Sequence, residues 1–217
     1  VTAREGLSGV YVVIAQEGQG HPFTMSNEAV RGYLHLAAAF AKAGTDEVYV
    51  NFADLVGYIA LAVGATGFVS GPSQRLRGLH LDAFSDRGGG YALPHYYSHK
   101  TAGEYLTETH LDKLVAARLI RRIADETTHS APLLAALRKG RSANTLAAWA
   151  ESQNNTTAAC RHFIRRLVLE GESMTGRPSL EERQELVFDW LETAEANVLY
   201  IAQRLMDAKE EMVGDHP

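Results

Sequence analysis

The feature that most limits what this chain can become is an alternation near its start. Three short runs rich in Val, Ile, Tyr and Phe lie at GVYVVIAQEG (9–18), EVYVNF (47–52) and TGFVSG (66–71). Two stretches with helical spacing separate them. Nearly continuous apolar runs suit strands buried on both faces, as in a parallel sheet. In SNEAVRGYLHLAAAFAKAG (26–44), Val30, Tyr33, Leu34, Ala37, Ala38 and Ala41 recur every three or four residues. Ser26 or Asn27 can cap this helix, Glu28 sits in its first turn, and Gly44 can end it. ADLVGYIALAVGA (53–65) reads as a shorter helix stopped at Gly64. The order strand–helix–strand–helix–strand with short links predicts an α/β fold with parallel strands, set side by side by right-handed crossovers.

Beyond this the text changes. Residues 72–99, PSQRLRGLHLDAFSDRGGGYALPHYYSH, follow no period, and Gly88-Gly89-Gly90 breaks the stretch. A loop this long in a compact domain is functional or mobile. From Thr101 onward helices are expected. Residues 101–127 carry Tyr105, Leu106, Leu111, Leu114, Val115, Leu119, Ile120 and Ile123 at helical spacing. SAPLLAALRKG (130–140) places Pro132 early and Gly140 at the stop. Residues 142–174 read as one helix, or two broken near Asn154-Asn155. The clearest helix covers 179–212, with Ser179 and Glu182 as a capping box and a stripe through Leu186, Val187, Trp190, Leu191, Ala194, Val198, Ile201, Leu205 and Met206. The expected organisation is an α/β segment over 1–100 and an all-α region over 101–217.

Composition excludes several classes. With 46% hydrophobic and 22% charged residues the chain reads as globular, not disordered. A net charge of −5 argues against a general binder of nucleic acid or anionic membranes. Cys160 stands alone, so neither an internal disulfide nor a thiolate metal cluster can come from this chain, and a cytoplasmic setting is expected. The apolar stretch LHLAAAFAKAG falls far short of the roughly 20 residues of a membrane helix. The first residues, VTAREGLSG, lack the apolar core of a signal peptide and an initiator Met. A processed chain, or part of a longer one, is the expectation.

The stretch VYVNFADLVGYIALAVGATGFVSGPS (48–73) resembles the closing strand–helix–strand unit of (β/α)8, or TIM, barrels, with a final G-x-x-x-G strand at Gly67–Gly71. The resemblance implies a phosphate held by free backbone N–H groups near a helix N-terminus, where glycine lets them approach. A closed barrel takes about 250 residues. Here the strand signal ends near residue 90, so either a longer barrel or a smaller open α/β layer with a helical appendage is expected. More faintly, strands, a Gly-rich aromatic loop and a helical tail with RHFIRRLVLEGE (161–172) resemble the tRNA-guanine transglycosylase group. The single Cys departs from that group's zinc site of three Cys and one His, and its catalytic aspartates find no counterpart.

Ligands of parallel α/β folds sit beyond the carboxyl ends of the strands. Those ends hold Gln16, Glu17 and His21, then Asn51 and Asp54, then Ser70, Gly71, Ser73, Gln74 and Arg75. Asn51 stands where a core would take Val or Ile. Asp54 either orients a ligand hydroxyl or starts the next helix. Arg75 and Arg77 carry planar forks suited to phosphate or carboxylate, or are ordinary solvated charge. GGGYALPHYYSHK (88–100) has the make-up of a mobile lid, with His95, Tyr97 and His99 as candidates for proton transfer. The alternative is that its tyrosines pack the loop down. The H-x-x-x-H spacing is no specific metal signature, and no metal is expected. His110 and His162, on helices, read as satisfied structural histidines. The clusters Arg118/Arg121/Arg122 and RHFIRR fit pairing with acidic groups better than RNA.

The resulting expectation is a TIM-like segment that binds a small anionic, phosphate- or nucleotide-like ligand on Asn51, Asp54, Ser70, Gly71 and Arg75. His95, Tyr97 and His99 would move protons. The alternatives are a non-catalytic scaffold forming a homo-oligomer through its C-terminal helices, and a transglycosylase-like base-exchange protein. The residues name no cofactor and no reaction.

Overall fold

The structure is a computed structural model that describes residues 8–16, 25–73, 76–80 and 92–214. The chain divides into two compact units, Val1–Gly89 with Leu167–Val187, and Gly90–Arg166 with Phe188–Pro217.

The first unit contains β1 (Gly9–Val13), β2 (Ala15–Gln16), α1 (Asn27–Lys42), β3 (Glu47–Asn51), α2 (Asp54–Leu61), β4 (Gly67–Val69) and β5 (Leu79–His80). β1, β3 and β4 form a parallel sheet in that order, and β2 pairs with β5, also parallel. The alternation foreseen in the sequence is therefore present. The described residues make three strands of such a sheet, not a closed barrel. Local chemistry explains the elements. Ser26 Oγ accepts the Ala29 N–H at 3.2 Å and starts α1. Gly44, at φ 79°, follows the α1 C-cap in the left-handed region that glycine favours. Gly57 lets α2 lie on β4, since a Cβ there would stand 2.5 Å from the Phe68 ring.

Both helices pack on one face of the sheet, where Val12, Val48 and Val50 are buried. The strand alternation puts Tyr11, Val13, Tyr49, Asn51, Gly67 and Val69 on the other face. There Tyr11 is 55%, Val13 40% and Val69 46% exposed. The expectation of strands buried on both faces is thus corrected to one face. Successive crossovers of one hand deliver their helices to the same side.

The second unit contains β6 (His95–Ser98), a 3-10 turn (His99–Thr101), β7 (Gly103–Leu106), α3 (Leu111–Ala116), α4 (Ile120–Ile123), α5 (Ala131–Arg138) and a second 3-10 turn (Ala143–Thr145). It shares α6 (Thr157–Thr175) and α7 (Leu180–Gly214) with the first unit. The loop expected to run to residue 99 and the helix expected from 101 are both corrected. His95–Ser98 and Gly103–Leu106 form an antiparallel ribbon with Tyr96 opposite Tyr105. Aromatic residues suit such a ribbon, and Ala102 at φ 47° turns the chain between the strands. The triple glycine lies outside the described residues. The 142–174 stretch is α-helical only from Thr157, in a helix that runs to Thr175, after a left-handed Asn154. The capping box of α7 is present, with Glu182 N–H donating to Ser179 Oγ at 3.1 Å and Ser179 N–H to Glu182 Oε2 at 3.2 Å.

Tyr96, Leu111, Ile123, Leu133, Leu134, Trp149 and Ile201 form the core of this unit. On α7, Val187, Trp190, Ala194 and Ile201 are buried, whereas Leu191, Val198 and Met206, expected in the same stripe, are exposed, as are Phe188 and Leu199. Among the described residues no helix is long and apolar enough to cross a membrane.

Candidate functional site

The carboxyl end of the sheet is built around the exit of β3. Phe52 has φ 53° and Asp54 φ 44°, with Ala53 between them at φ −99°. A left-handed backbone costs an L-residue roughly 1–2 kcal/mol, and here two fall within three positions. Among the described residues the other left-handed positions that bear side chains have plain local tasks. Arg118 follows the end of α3, with Leu119 N–H closing on Leu114 O at 2.8 Å. Ala102 and Asn154 lie in turns. Phe52 and Asp54 instead lie between a strand and the helix that follows it.

Tyr33, fully buried on α1, ties the strand ends together. Its hydroxyl accepts the Ile14 N–H at 3.1 Å and donates to Asn51 O at 2.5 Å. Burial holds this phenol above its ordinary pKa. The Asn51 side chain turns Oδ1 back to accept the Phe52 N–H at 2.8 Å, and that N–H also donates to Val69 O at 3.1 Å. The amide orientation follows, because an N–H needs an acceptor. Asn51 Nδ2 is left as a donor with no partner among the described residues. Asp54 is buried as the first residue of α2, where the helix dipole favours a carboxylate. Ser70 Oγ is buried and has no hydrogen-bond partner among the described residues.

The glycine reading changes at Gly71. A Cβ there would stand 2.2 Å from Leu76 Cβ and 2.4 Å from Leu76 O. The backbone that comes close to Gly71 is the chain's own. At Gly67 a Cβ would meet the Tyr49 ring at 2.8 Å, so glycine there lets Tyr49 lie across the sheet. Gln16 is on β2 opposite His80, and Arg77 is buried. Glu17, His21, Gln74 and Arg75 lie outside the described residues.

The histidine and tyrosine set belongs to the second unit and sits in a packed ribbon. His95 Nδ1 is 2.9 Å from Leu93 O. Tyr97 is fully buried, edge-on to Phe163 with ring centres 5.2 Å apart, and its hydroxyl lies 3.2 Å from His99 Nδ1. The His99 ring stacks on Trp190 at 4.8 Å, and Trp190 Nε1 donates to His99 O at 2.7 Å. Burial lowers the His99 pKa to about 4, so the ring is neutral near pH 7.

Sequence reasoning read His162 as a satisfied structural histidine, and it is one, but passed over the Tyr96 and Asp125 groups of the polar network around it. The Tyr96 hydroxyl accepts the Asp125 N–H at 2.7 Å and donates to Asp125 O at 2.9 Å. Asp125 Oδ2 accepts the Lys100 N–H at 2.9 Å and the Ser98 hydroxyl at 3.3 Å, and Oδ1 pairs with Arg166 at 3.8 Å. His162, stacked on Tyr96 at 4.8 Å, lies 2.8 Å from Tyr97 O through Nε2 and 3.0 Å from Thr127 Oγ1 through Nδ1. A carbonyl only accepts, so Nε2 carries the proton and Nδ1 receives the Thr127 hydroxyl. Burial lowers this histidine to about 4. The signal was in the spacing: Ala159, Phe163 and Leu167 put His162 and Arg166 on the apolar face of α6.

Among the described residues no group of three or more His, Cys, Asp or Glu side chains is arranged to hold a metal ion. The structure brings Asn51, Asp54, Ser70 and Gly71 into the first unit and His95, Tyr97 and His99 into the second. No protein-family model, no curated protein and no solved structure matches the chain.

Proposed function

We propose that the first unit is a binding module for a small anionic ligand, phosphate- or nucleotide-like, seated at the carboxyl ends of β1, β3 and β4. The observation that carries this reading is the pair of left-handed residues, Phe52 and Asp54, at the exit of β3. Strain of this kind persists where the surroundings over-determine it, and it concentrates at ligand sites. Asn51 Nδ2 and Ser70 Oγ supply hydrogen-bond donors for an anion. Asp54 orients a ligand hydroxyl. The straight strand order, with both helices on one face, supports reading the sheet as a sector of a TIM-like barrel, in which this edge is the ligand edge. His95, Tyr97 and His99 have no role in it, and no reaction is assigned.

The test is thermal melting against inorganic phosphate, sugar phosphates, nucleotides and guanine, the last covering the transglycosylase resemblance. A ligand held by the native state at 100 times its Kd adds about 2.7 kcal/mol of stability. One member of the panel is expected to raise the melting temperature saturably, and Asn51→Leu to abolish that rise. Flat curves across the panel contradict the reading.

One observation favours a second reading. The exposed Phe188, Leu191, Val198, Leu199 and Met206 give α7 an uncovered apolar side, as a scaffold forming a homo-oligomer through its C-terminal helices would need. Light scattering checks it: a mass above one chain that Leu199→Glu returns to one chain supports assembly.

A further inference from the structure

The part of α7 that belongs to the second unit carries two stripes, and the fold uses one. Trp190, Ala194, Asn197 and Ile201 are buried, at alternating steps of four and three. The residues that follow them, Leu191, Glu195, Val198 and Ala202, have the same steps and lie about 100° further round the helix. Phe188 and Met206 lengthen this second stripe by one turn at each end, and Leu199 lies beside it, one turn from both Glu195 and Ala202. Phe188, Leu191, Val198, Leu199 and Met206 are 40–65% exposed. Steps of three and four let two helices pack along their length.

Run in reverse, the second stripe matches itself. About a point between Val198 and Leu199, Leu191 stands opposite Met206, Val198 opposite Leu199, and Glu195 opposite Ala202. Apolar side chains meet apolar ones, and the one carboxylate in the stripe meets a methyl group, past which it reaches solvent. Run in the same direction, Glu195 would meet Glu195 with Glu192 beside Glu192, and like charges that close repel. Antiparallel helices also bring opposite dipole ends together. A two-fold axis through the Val198–Leu199 point gives both copies the same patch, as a closed dimer requires.

Size admits this occupant. Five side chains of roughly 200 Å² each, about half exposed, offer on the order of 500 Å² per copy and 1,000 Å² for a pair, the lower bound of a specific interface.

We propose that two copies of this chain pair through this stripe as antiparallel helices, with Val198 of one copy beside Leu199 of the other and Leu191 beside Met206. The inference rests on the reading of α7 as an assembly helix and adds the number of copies, their direction and their register.

The experiment uses single cysteines in a Cys160→Ser background of the 217-residue chain, a short bis-maleimide, and light scattering. In the antiparallel pair, Leu191→Cys stands about 22 Å along the axis from the same residue of the other copy, the rise between residues 191 and 206. The expected mass is twice that of one chain. Leu191→Cys and Met206→Cys are each expected not to cross-link alone, and to cross-link to each other when co-expressed with a tag on one. Val198→Cys, close to the axis, is expected to cross-link alone, and Leu199→Cys takes its place if cysteine at 198 lowers the mass. Cross-linking of Leu191→Cys and of Met206→Cys each to itself, with none between them, means a parallel pair. It overturns the proposal and leaves assembly through α7 standing, as does a mass above two chains. A doubled mass without a cross-link near the axis puts the contact elsewhere and overturns both. So does the mass of one chain at every concentration measured.

Discussion

His162 and Asn51 are both polar residues at positions an apolar side chain would fill, and they are used differently. His162, in the second unit, spends both ring nitrogens on Tyr97 O and Thr127 Oγ1 and stacks on Tyr96. Asn51, in the first, spends Oδ1 on the next residue's N–H and keeps Nδ2 unspent among the described residues. Backbone strain divides in the same way. Arg118, Ala102 and Asn154 end a helix or turn the chain, whereas Phe52 and Asp54 shape the exit of a strand. A polar group whose bonding is saturated inside the fold specifies that fold. One held in place with capacity left over, as Asn51 Nδ2 is, is what the proposed ligand site draws on.

The largest expected effect that sharpens this contrast is in the second unit. Trp149→Ala should destabilise the protein by about 3–5 kcal/mol in denaturant titration, because the indole is almost fully buried in the core. A loss below about 1 kcal/mol would mean that core is loosely packed.

Next comes acid. His162 titrates near 6.5 when unfolded and near 4 when folded, so folding favours the neutral ring. Its contribution is complete above pH 6.5 and is lost as pH falls toward 4, by about 3 kcal/mol in all. His99 adds to the loss in the same direction over the same window. Stability measured from pH 7 to pH 4 should fall accordingly, and His162→Gln should flatten part of the slope while lowering stability at pH 7. An unchanged slope in that variant would remove His162 from the explanation.

Smaller again is Tyr96→Phe. It strips the hydroxyl from the Asp125 backbone and should cost about 1–3 kcal/mol, with the ribbon otherwise intact. The smallest effect is expected in the first unit, where Asn51→Leu should change stability in the absence of ligand by no more than about 1 kcal/mol. A large loss there would make Asn51 a structural residue like His162.

Much of the first unit was legible. Continuous Val, Ile and Tyr runs and capped helical stretches are local signals, and β1, α1, β3, α2 and β4 lie where those signals put them. The bare face was not legible, because Tyr11 and Val13 read the same whether or not a neighbour covers them. The β6–β7 ribbon was missed for a different reason. HYYS and GEYL are four residues each, too short to show a period, and His and Lys around them read as polar loop. Asn51 could be singled out as a polar residue at a strand end. The strain at Phe52 could not, since nothing in its identity announces a left-handed backbone. His95, Tyr97 and His99 were picked for their chemistry, and burial decides what that chemistry does.

The most direct test of the division between a binding unit and a structural network is one set of melting curves. The wild-type chain, Asn51→Leu and His99→Gln are each melted with and without the phosphate or nucleotide that shifts the wild type. The predicted result is that Asn51→Leu melts near the wild type without ligand and gains nothing from it. His99→Gln should melt lower without ligand, through the lost stack on Trp190, yet gain the full ligand shift. The opposite pattern, an intact shift in Asn51→Leu and a vanished one in His99→Gln, would contradict it and move the binding site to the histidine ribbon.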